Sequence, residues 1–233
     1  MRLPMACHQC LVQSERDGIP QIMMLSPTDD GSYTFTCNAG HSGLTILQQD
    51  RFQLLFQIGI HALVDGYPRE AVADFAASLE RFYEFYFRLY CVANRVPQDV
   101  QSKTWSTVAA QSERQLGLFL GAHLSLTGTA GPTLSGESAR FRNEVIHKGR
   151  IPTIGEATAF GESVSDLIQP ILEDIHARYA EPLQMIEMNR IFEIAKGRHA
   201  GTMFYPTYLQ FGTRDVTLKK AIKQASMPPW NYR

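Results

Sequence analysis

From Asp50 onward, apolar residues recur three and four positions apart. Phe52, Leu55, Phe56, Gly59, Ile60 and Leu63 mark a first amphipathic helix, which Gly66-Tyr67-Pro68 ends. A longer second helix is predicted from Arg69 to about Arg95. It presents Val72, Phe75, Ala76, Leu79, Phe82, Tyr83, Tyr86 and Leu89 on one broad face and stops at Pro97. A third helix is expected from about Lys103 to Leu124. After a loop from Gly128 to Gly136, a fourth starts near Glu137, with Ser135 as N-cap, and finishes at Lys148-Gly149. The fifth runs from about Glu156 to Tyr179 and carries Phe160, Val164, Leu167, Ile168, Ile171, Leu172 and Ile175, with Pro170 placed to kink it. Beyond Pro182 the pattern predicts one more helix to about Lys196. A Gly- and aromatic-rich stretch from Gly197 to Gly212 follows, then a short basic helix around Thr217 to Gln224. The fold class is mainly α, built on a bundle of four to five helices.

Residues 1–48 have a different texture. Pro, Gly, Ser and Thr are scattered between short β-prone pieces, Ile19 to Leu25 and Ser32 to Thr36, with Asp29-Asp30-Gly31 supplying a turn between them. The expected organisation is a small β module over 1–48, a helical bundle over 49–180 and a helical, aromatic-rich extension over 181–233. There is no internal repeat and no low-complexity segment.

Composition narrows the function. A chain of 233 residues with 44% hydrophobic residues can bury a substantial core. No apolar run approaches the ~18 residues of a membrane span, and the N-terminus has no basic-then-apolar signal, so a cytoplasmic location is expected. With 22 basic and 23 acidic residues the net charge is −1, so the overall balance does not demand a nucleic-acid partner but leaves room for a local basic site. No Gly-rich phosphate loop, Gly-x-Ser-x-Gly elbow or His-Glu-x-x-His helix is present.

The chain contains 4 cysteines. Cys7-x-x-Cys10 and Cys37-x-x-x-His41 form two close-spaced pairs, each able to present both side chains to one ion from a single tight knuckle. The intervening pieces are expected to fold back as a hairpin and carry the second pair onto the first. The arrangement resembles a zinc ribbon. A structural zinc follows, because all four ligand places are taken by protein, and metal would supply most of the folding energy of so small a module. His8 is a rival ligand, disfavoured by its adjacency to Cys7. Cys91, on the apolar second helix, is expected to be a small buried residue.

The second constellation is Arg142-Asn143-Glu144-Val145-Ile146-His147, followed by Lys148-Gly149, at a helix end. Arg142 and His147 frame a motif that resembles the HEPN superfamily, whose hallmark is an arginine, a polar neighbour and a histidine four to six positions on. The resemblance covers about residues 50–180. It implies a helical domain that dimerises so that the motifs of two protomers face each other, and in many members metal-independent cleavage of RNA. By matching position, Arg142 and His147 would be the catalytic pair and Asn143 the adjoining polar residue. The residue types suit the reaction: histidine moves protons near neutrality and arginine clamps phosphate oxygens with two donors. A helix C-terminus favours a cation, which suits His147 to the part of general acid. On an ideal helix Asn143 and His147 lie about 40° apart, whereas Arg142 is about 140° from His147. Glu80 and Arg81 on the second helix are placed to order Arg142. The aromatics of that helix are expected in the core or a dimer contact.

The expected function is therefore a metal-independent HEPN-type endoribonuclease with a structural zinc module, acting as a toxin or antiviral defence effector on RNA. The alternative is a non-catalytic dimeric HEPN-like protein that binds a partner or RNA.

Overall fold

A computed structural model describes residues 1–17, 22–212 and 216–226. The chain divides into two compact units, residues 1–51 with 187–206 and residues 52–186 with 207–233. The segment after residue 180 is thus shared between the two units.

In the first unit, β1 (Leu3–Ala6) leads into α1 (His8–Asp17), followed by β2 (Ile22–Leu25), β3 (Ser32–Thr36) and β4 (Ser42–Leu47). Of the β-prone piece at 19–25, residues 19–21 lie outside the described residues. The turn at Asp29-Asp30-Gly31 forms: the Asp30 carboxylate accepts from the Ser32 N–H at 2.9 Å and Gly31 takes φ +69°. The pairing differs from the expected single hairpin. β2 pairs antiparallel with β1 and β3 pairs antiparallel with β4, so among the described residues no ladder joins β2 to β3. Two further elements belong to this unit. The later part of α8 (Ala180–Ala195) packs Ile191, Ile194 and Ala195 on Leu44 and Ile46, and β5 (Gly201–Met203) adds to β4 in parallel. Arg190 fixes this arrangement, donating from Nη2 to the carbonyls of Leu47 and Gln48 at 2.9 and 2.6 Å.

The second unit is helical. α2 (Arg51–Val64), α3 (Pro68–Ala93), α4 (Gln98–Val108), α5 (Ser112–Thr127), α6 (Gly136–His147), α7 (Ile154–Arg178) and α9 (Leu218–Ala225) follow the apolar periodicity closely. α3 is central and packs against α5, α6 and α7. Its Phe75, Phe82, Phe85 and Tyr86 are almost wholly buried with Phe52 and Phe56 of α2, Phe119 of α5, Val145 of α6 and Val164 and Ile168 of α7. Each such side chain contributes roughly 1.5–3 kcal/mol through burial. The aromatics of α3 are therefore core, packed on one another and on Phe119 of α5, which Tyr83 stacks on at 4.8 Å. Cys91 is buried, and desolvation pushes its thiol up to about 11. The protein is mainly helical, with a few small strands.

The expected third helix is two helices. Gln111 is extended, at φ −135° and ψ 115°, and Gln115 donates to the Ala109 carbonyl at 2.6 Å, satisfying one of the backbone groups exposed by the break. No Gly or Pro marks this break, so the amphipathic pattern reads through it. Elsewhere Ser135 caps α6 as expected, and α7 opens on a cap not predicted from the sequence. Ser135 accepts from the Ser138 N–H, and Thr153 and Glu156 form a reciprocal capping box. Pro170 is accommodated within α7, which continues to Arg178.

Two glycines let the helices close around Phe75. A Cβ on Gly59 of α2 would stand 2.6 Å from that ring, and one on Gly161 of α7 would stand 2.7 Å from it. Gly161→Val is therefore expected to destabilise the bundle by roughly 1–3 kcal/mol through overpacking, measurable by denaturant titration. Among the described residues no helix is long and apolar enough to cross a membrane.

Candidate functional site

Cys7, Cys10, Cys37 and His41 converge within the first unit, with their ligand atoms all within 4.8 Å of one another. Two tight backbone turns achieve this. Cys7 leaves β1 and Cys10 lies in the first turn of α1, where the Leu11 N–H returns to the Cys7 carbonyl at 2.9 Å. Cys37 and His41 flank the turn between β3 and β4, closed by the Cys37 N–H to the His41 carbonyl at 2.9 Å and by the Gly40 N–H to the Cys37 carbonyl at 2.8 Å. Gly40 has φ +82°, which a side chain would resist. Phe35 and Met23 pack around the thiols. His8 is exposed and lies outside the cluster.

The spacing fits one tetrahedral ion. Metal–sulfur bonds of about 2.3 Å and metal–nitrogen bonds of about 2.0–2.1 Å imply sulfur–sulfur edges near ~3.8 Å and sulfur–nitrogen edges near ~3.6 Å. Cys10 and Cys37 Sγ are 3.7 Å apart, and His41 Nδ1 lies 3.4 Å from Cys10 Sγ and 3.9 Å from Cys7 Sγ. The electrostatics point the same way. Desolvation, together with the neighbouring Cys37 and Cys7 thiols, pushes Cys10 up to about 11. At Cys37 desolvation again opposes ionisation, but the His41 and Ala39 backbone N–H groups aimed at its sulfur outweigh it and hold the thiol below its ordinary value. The Cys10 and Cys7 thiols also favour the Cys37 thiolate, so the three sulfurs share one site of ionisation, an environment compatible with a bound cation.

The second candidate site lies at the end of α6. Val145 is buried and Ile146 and Phe141 pack on the core, which leaves Asn143 and His147 exposed and Arg142 half-buried. Arg142 is held from two sides: its Nη2 lies 3.9 Å from the Glu80 carboxylate on α3, and its Nη1 donates to Asn143 Oδ1 at 3.1 Å. Arg81 does not join it. That guanidinium turns the other way, to Glu84 at 2.9 Å, to Gln115 at 3.2 Å and over the Trp105 ring. Tyr83 stands beside Arg142 and Glu80; its phenol is shifted upward by burial, against the pull of Arg142.

The chain after His147 is fixed by residues the motif does not contain. Gly149 adopts φ +72°, and the Arg150 N–H returns to the Glu144 carbonyl at 3.1 Å. The Arg150 guanidinium bridges the Glu144 and Glu156 carboxylates and lies over the Phe141 ring. Between α6 and α7 lies an open groove of about 520 Å³, lined in part by Ser138, Glu144, Arg150 and Ser163. Glu156 was legible as a helix-start residue, but nothing in its spacing revealed that Arg150 would tie α6 to α7. Of the remaining histidines, His123 is satisfied by Thr127 Oγ1 at 3.2 Å and stacks on Tyr86. Tyr208 and Phe211 pack on Phe56 and Phe85, whereas Phe204 is exposed.

Comparison with protein-family models, with curated proteins and with solved structures yields no match to this chain.

Proposed function

We propose that the chain is a metal-independent endoribonuclease of the HEPN type, acting as a toxin or antiviral effector, with a structural zinc held by Cys7, Cys10, Cys37 and His41. The observation that carries the reading is the end of α6. There an arginine is hydrogen-bonded to its own neighbour and faces a carboxylate of the adjacent helix at 3.9 Å, five residues before an exposed histidine in the last turn. A solvated helix end has no need of such an arrangement. Arg142 spends one N–H on Asn143, and its contact with Glu80, at 3.9 Å, is loose. Donors therefore remain for two phosphate oxygens.

The chemistry uses these groups alone. The RNA 2′-oxygen attacks the adjacent phosphorus and loses its proton to a water molecule, the bond from phosphorus to the 5′-oxygen breaks, and that oxygen gains a proton from His147. The products are a 2′,3′-cyclic phosphate and a 5′-hydroxyl. His147 supplies the proton to the leaving oxygen, Arg142 neutralises the charge gathering on the phosphorane, and Asn143 holds Arg142. Since Arg142 and His147 diverge by about 140° on one helix, a two-fold dimer completes the site by bringing Arg142 of one protomer to the partner's His147. The zinc module has no vacant ligand position for substrate, so its part is structural or in RNA contact.

The test is paired. Light scattering at micromolar concentration is expected to report a dimer, and Arg142→Lys is expected to cut cleavage of single-stranded RNA at least tenfold while the dimer persists, because the ammonium keeps the charge but loses the two-pronged donor geometry. A monomer that cleaves RNA normally would count against the composite site. Dimerisation or RNA binding without cleavage would favour the non-catalytic alternative.

A further inference from the structure

α9 is anchored along one edge. Leu218 is buried, and Ala221, Ile222 and Ala225 pack on the bundle core. Thr217 caps it, accepting from the Lys220 N–H at 3.3 Å. The opposite edge carries Lys219, Lys220 and Lys223, all exposed, with no acidic residue anywhere in the helix. None of the three forms an ion pair among the described residues. This ridge lies beside the start of α7: Lys219 and Ile222 line a groove of about 350 Å³ with Gly155, Thr158, Ala159 and Glu162. α7 begins at Ile154, only a short connection beyond His147, so the ridge stands at the same end of the helical unit as the α6 terminus.

We infer that Lys219, Lys220 and Lys223 form a binding ridge for the phosphate backbone of single-stranded RNA, leading the strand to or from the end of α6. The inference rests on the ribonuclease reading and names the path of its substrate. Three exposed cations on one helix face are suited to a chain of regularly spaced phosphates, and such contacts bind by releasing counterions. The neighbouring groove between α6 and α7 is a poorer path. It presents three carboxylates, Glu137, Glu144 and Glu156, against Arg140 and Arg150, and the charge of Arg150 is already taken up by Glu144 and Glu156. A membrane surface is disfavoured because the apolar edge of α9, which would have to enter lipid, is already packed against the protein.

The experiment compares the unmodified protein with the triple variant Lys219→Gln, Lys220→Gln, Lys223→Gln. It measures affinity for an unstructured RNA oligonucleotide across a salt series and the cleavage rate at limiting and saturating RNA. The variant should bind roughly tenfold more weakly at low salt, and the slope of log affinity against log salt should fall by about 2, as expected for three lost contacts to a single strand. The cleavage rate at saturating RNA should be unchanged, and the triple Lys→Arg variant should restore binding. Unaltered affinity and slope in a variant that still cleaves would overturn the ridge while leaving the ribonuclease reading intact. If the wild-type protein neither binds nor cleaves RNA, that reading fails and the inference fails with it. If polyglutamate competes as well as RNA and its binding is lost in the same variant, the ridge is a site for acidic protein and the inference is overturned.

Discussion

Replacing His147 by alanine is expected to lower RNA cleavage roughly 10²–10⁴-fold, the range for loss of a positioned proton carrier. Binding should change little, since the imidazole is exposed in the last turn of α6 and the proposed phosphate contacts are made by Arg142 and the lysines of α9. The fold should survive. α6 is held by Val145, Ile146 and Phe141 on one side and by the clamp of Arg150 with Glu144 and Glu156 at its end, and none of these involves the histidine. If the two residues serve one reaction, the double variant Arg142→Ala, His147→Ala should be little worse than the more damaged single one. Single-turnover cleavage of a labelled oligonucleotide separates the outcomes. Wild-type rates in His147→Ala would remove this motif from the chemistry.

Cys37→Ser is expected to abolish stoichiometric zinc and to loosen the first unit while the helical unit stays folded. Elemental analysis of the wild type should give one zinc per protomer, and the variant far less. A metal's weight in this unit would be large because its own cores are small: Phe35 and Met23 gather around the thiols, and a few apolar residues of β4 and α8 form the other cluster. Zinc held by such ligand sets contributes on the order of 10 kcal/mol, against the modest burial those side chains provide. The helical unit has an independent aromatic core, so its hydrogen-exchange protection should persist. Loss of protection throughout the chain would show that the two units do not fold separately.

Much of this arrangement was legible because its signals are local. Apolar periodicity placed α2, α3, α6, α7 and α9 to within a few residues, and Ser135 and the proline and glycine boundaries gave their ends. The convergence of Cys7, Cys10, Cys37 and His41 followed from ligand spacing, which depends on short turns. What failed depends on partners distant in the chain. Ser32 to Thr36 was recognised as a strand, but its neighbour is β4, not the preceding β2; strand propensity says nothing of register or pairing. β5 is three residues long and exists through parallel pairing with β4, from which α2 to α8 separate it in sequence. α1 grows out of the Cys7 turn in a stretch whose polar composition hides it. At the break between α4 and α5 no helix-breaking residue stands; Gln115 bonds Ala109 and Arg81, and Trp105 stacks on Phe87 of α3. At the α6 site the motif named Arg142, Asn143 and His147, and Glu80 was anticipated as its orienting partner, but Arg81, its neighbour in sequence, faces α5.

The most direct measurement of the central claim is incubation of the purified protein with a single-stranded RNA in the presence of a strong chelator, with the ends of the products identified by mass spectrometry. Cleavage should continue whether or not the first unit keeps its proposed zinc, because the proposed chemistry at the end of α6 uses no metal. The upstream fragments should carry 2′,3′-cyclic phosphates and the downstream fragments 5′-hydroxyls. No cleavage under any condition, or products with 3′-hydroxyl ends that vanish when metal is removed, would contradict the account.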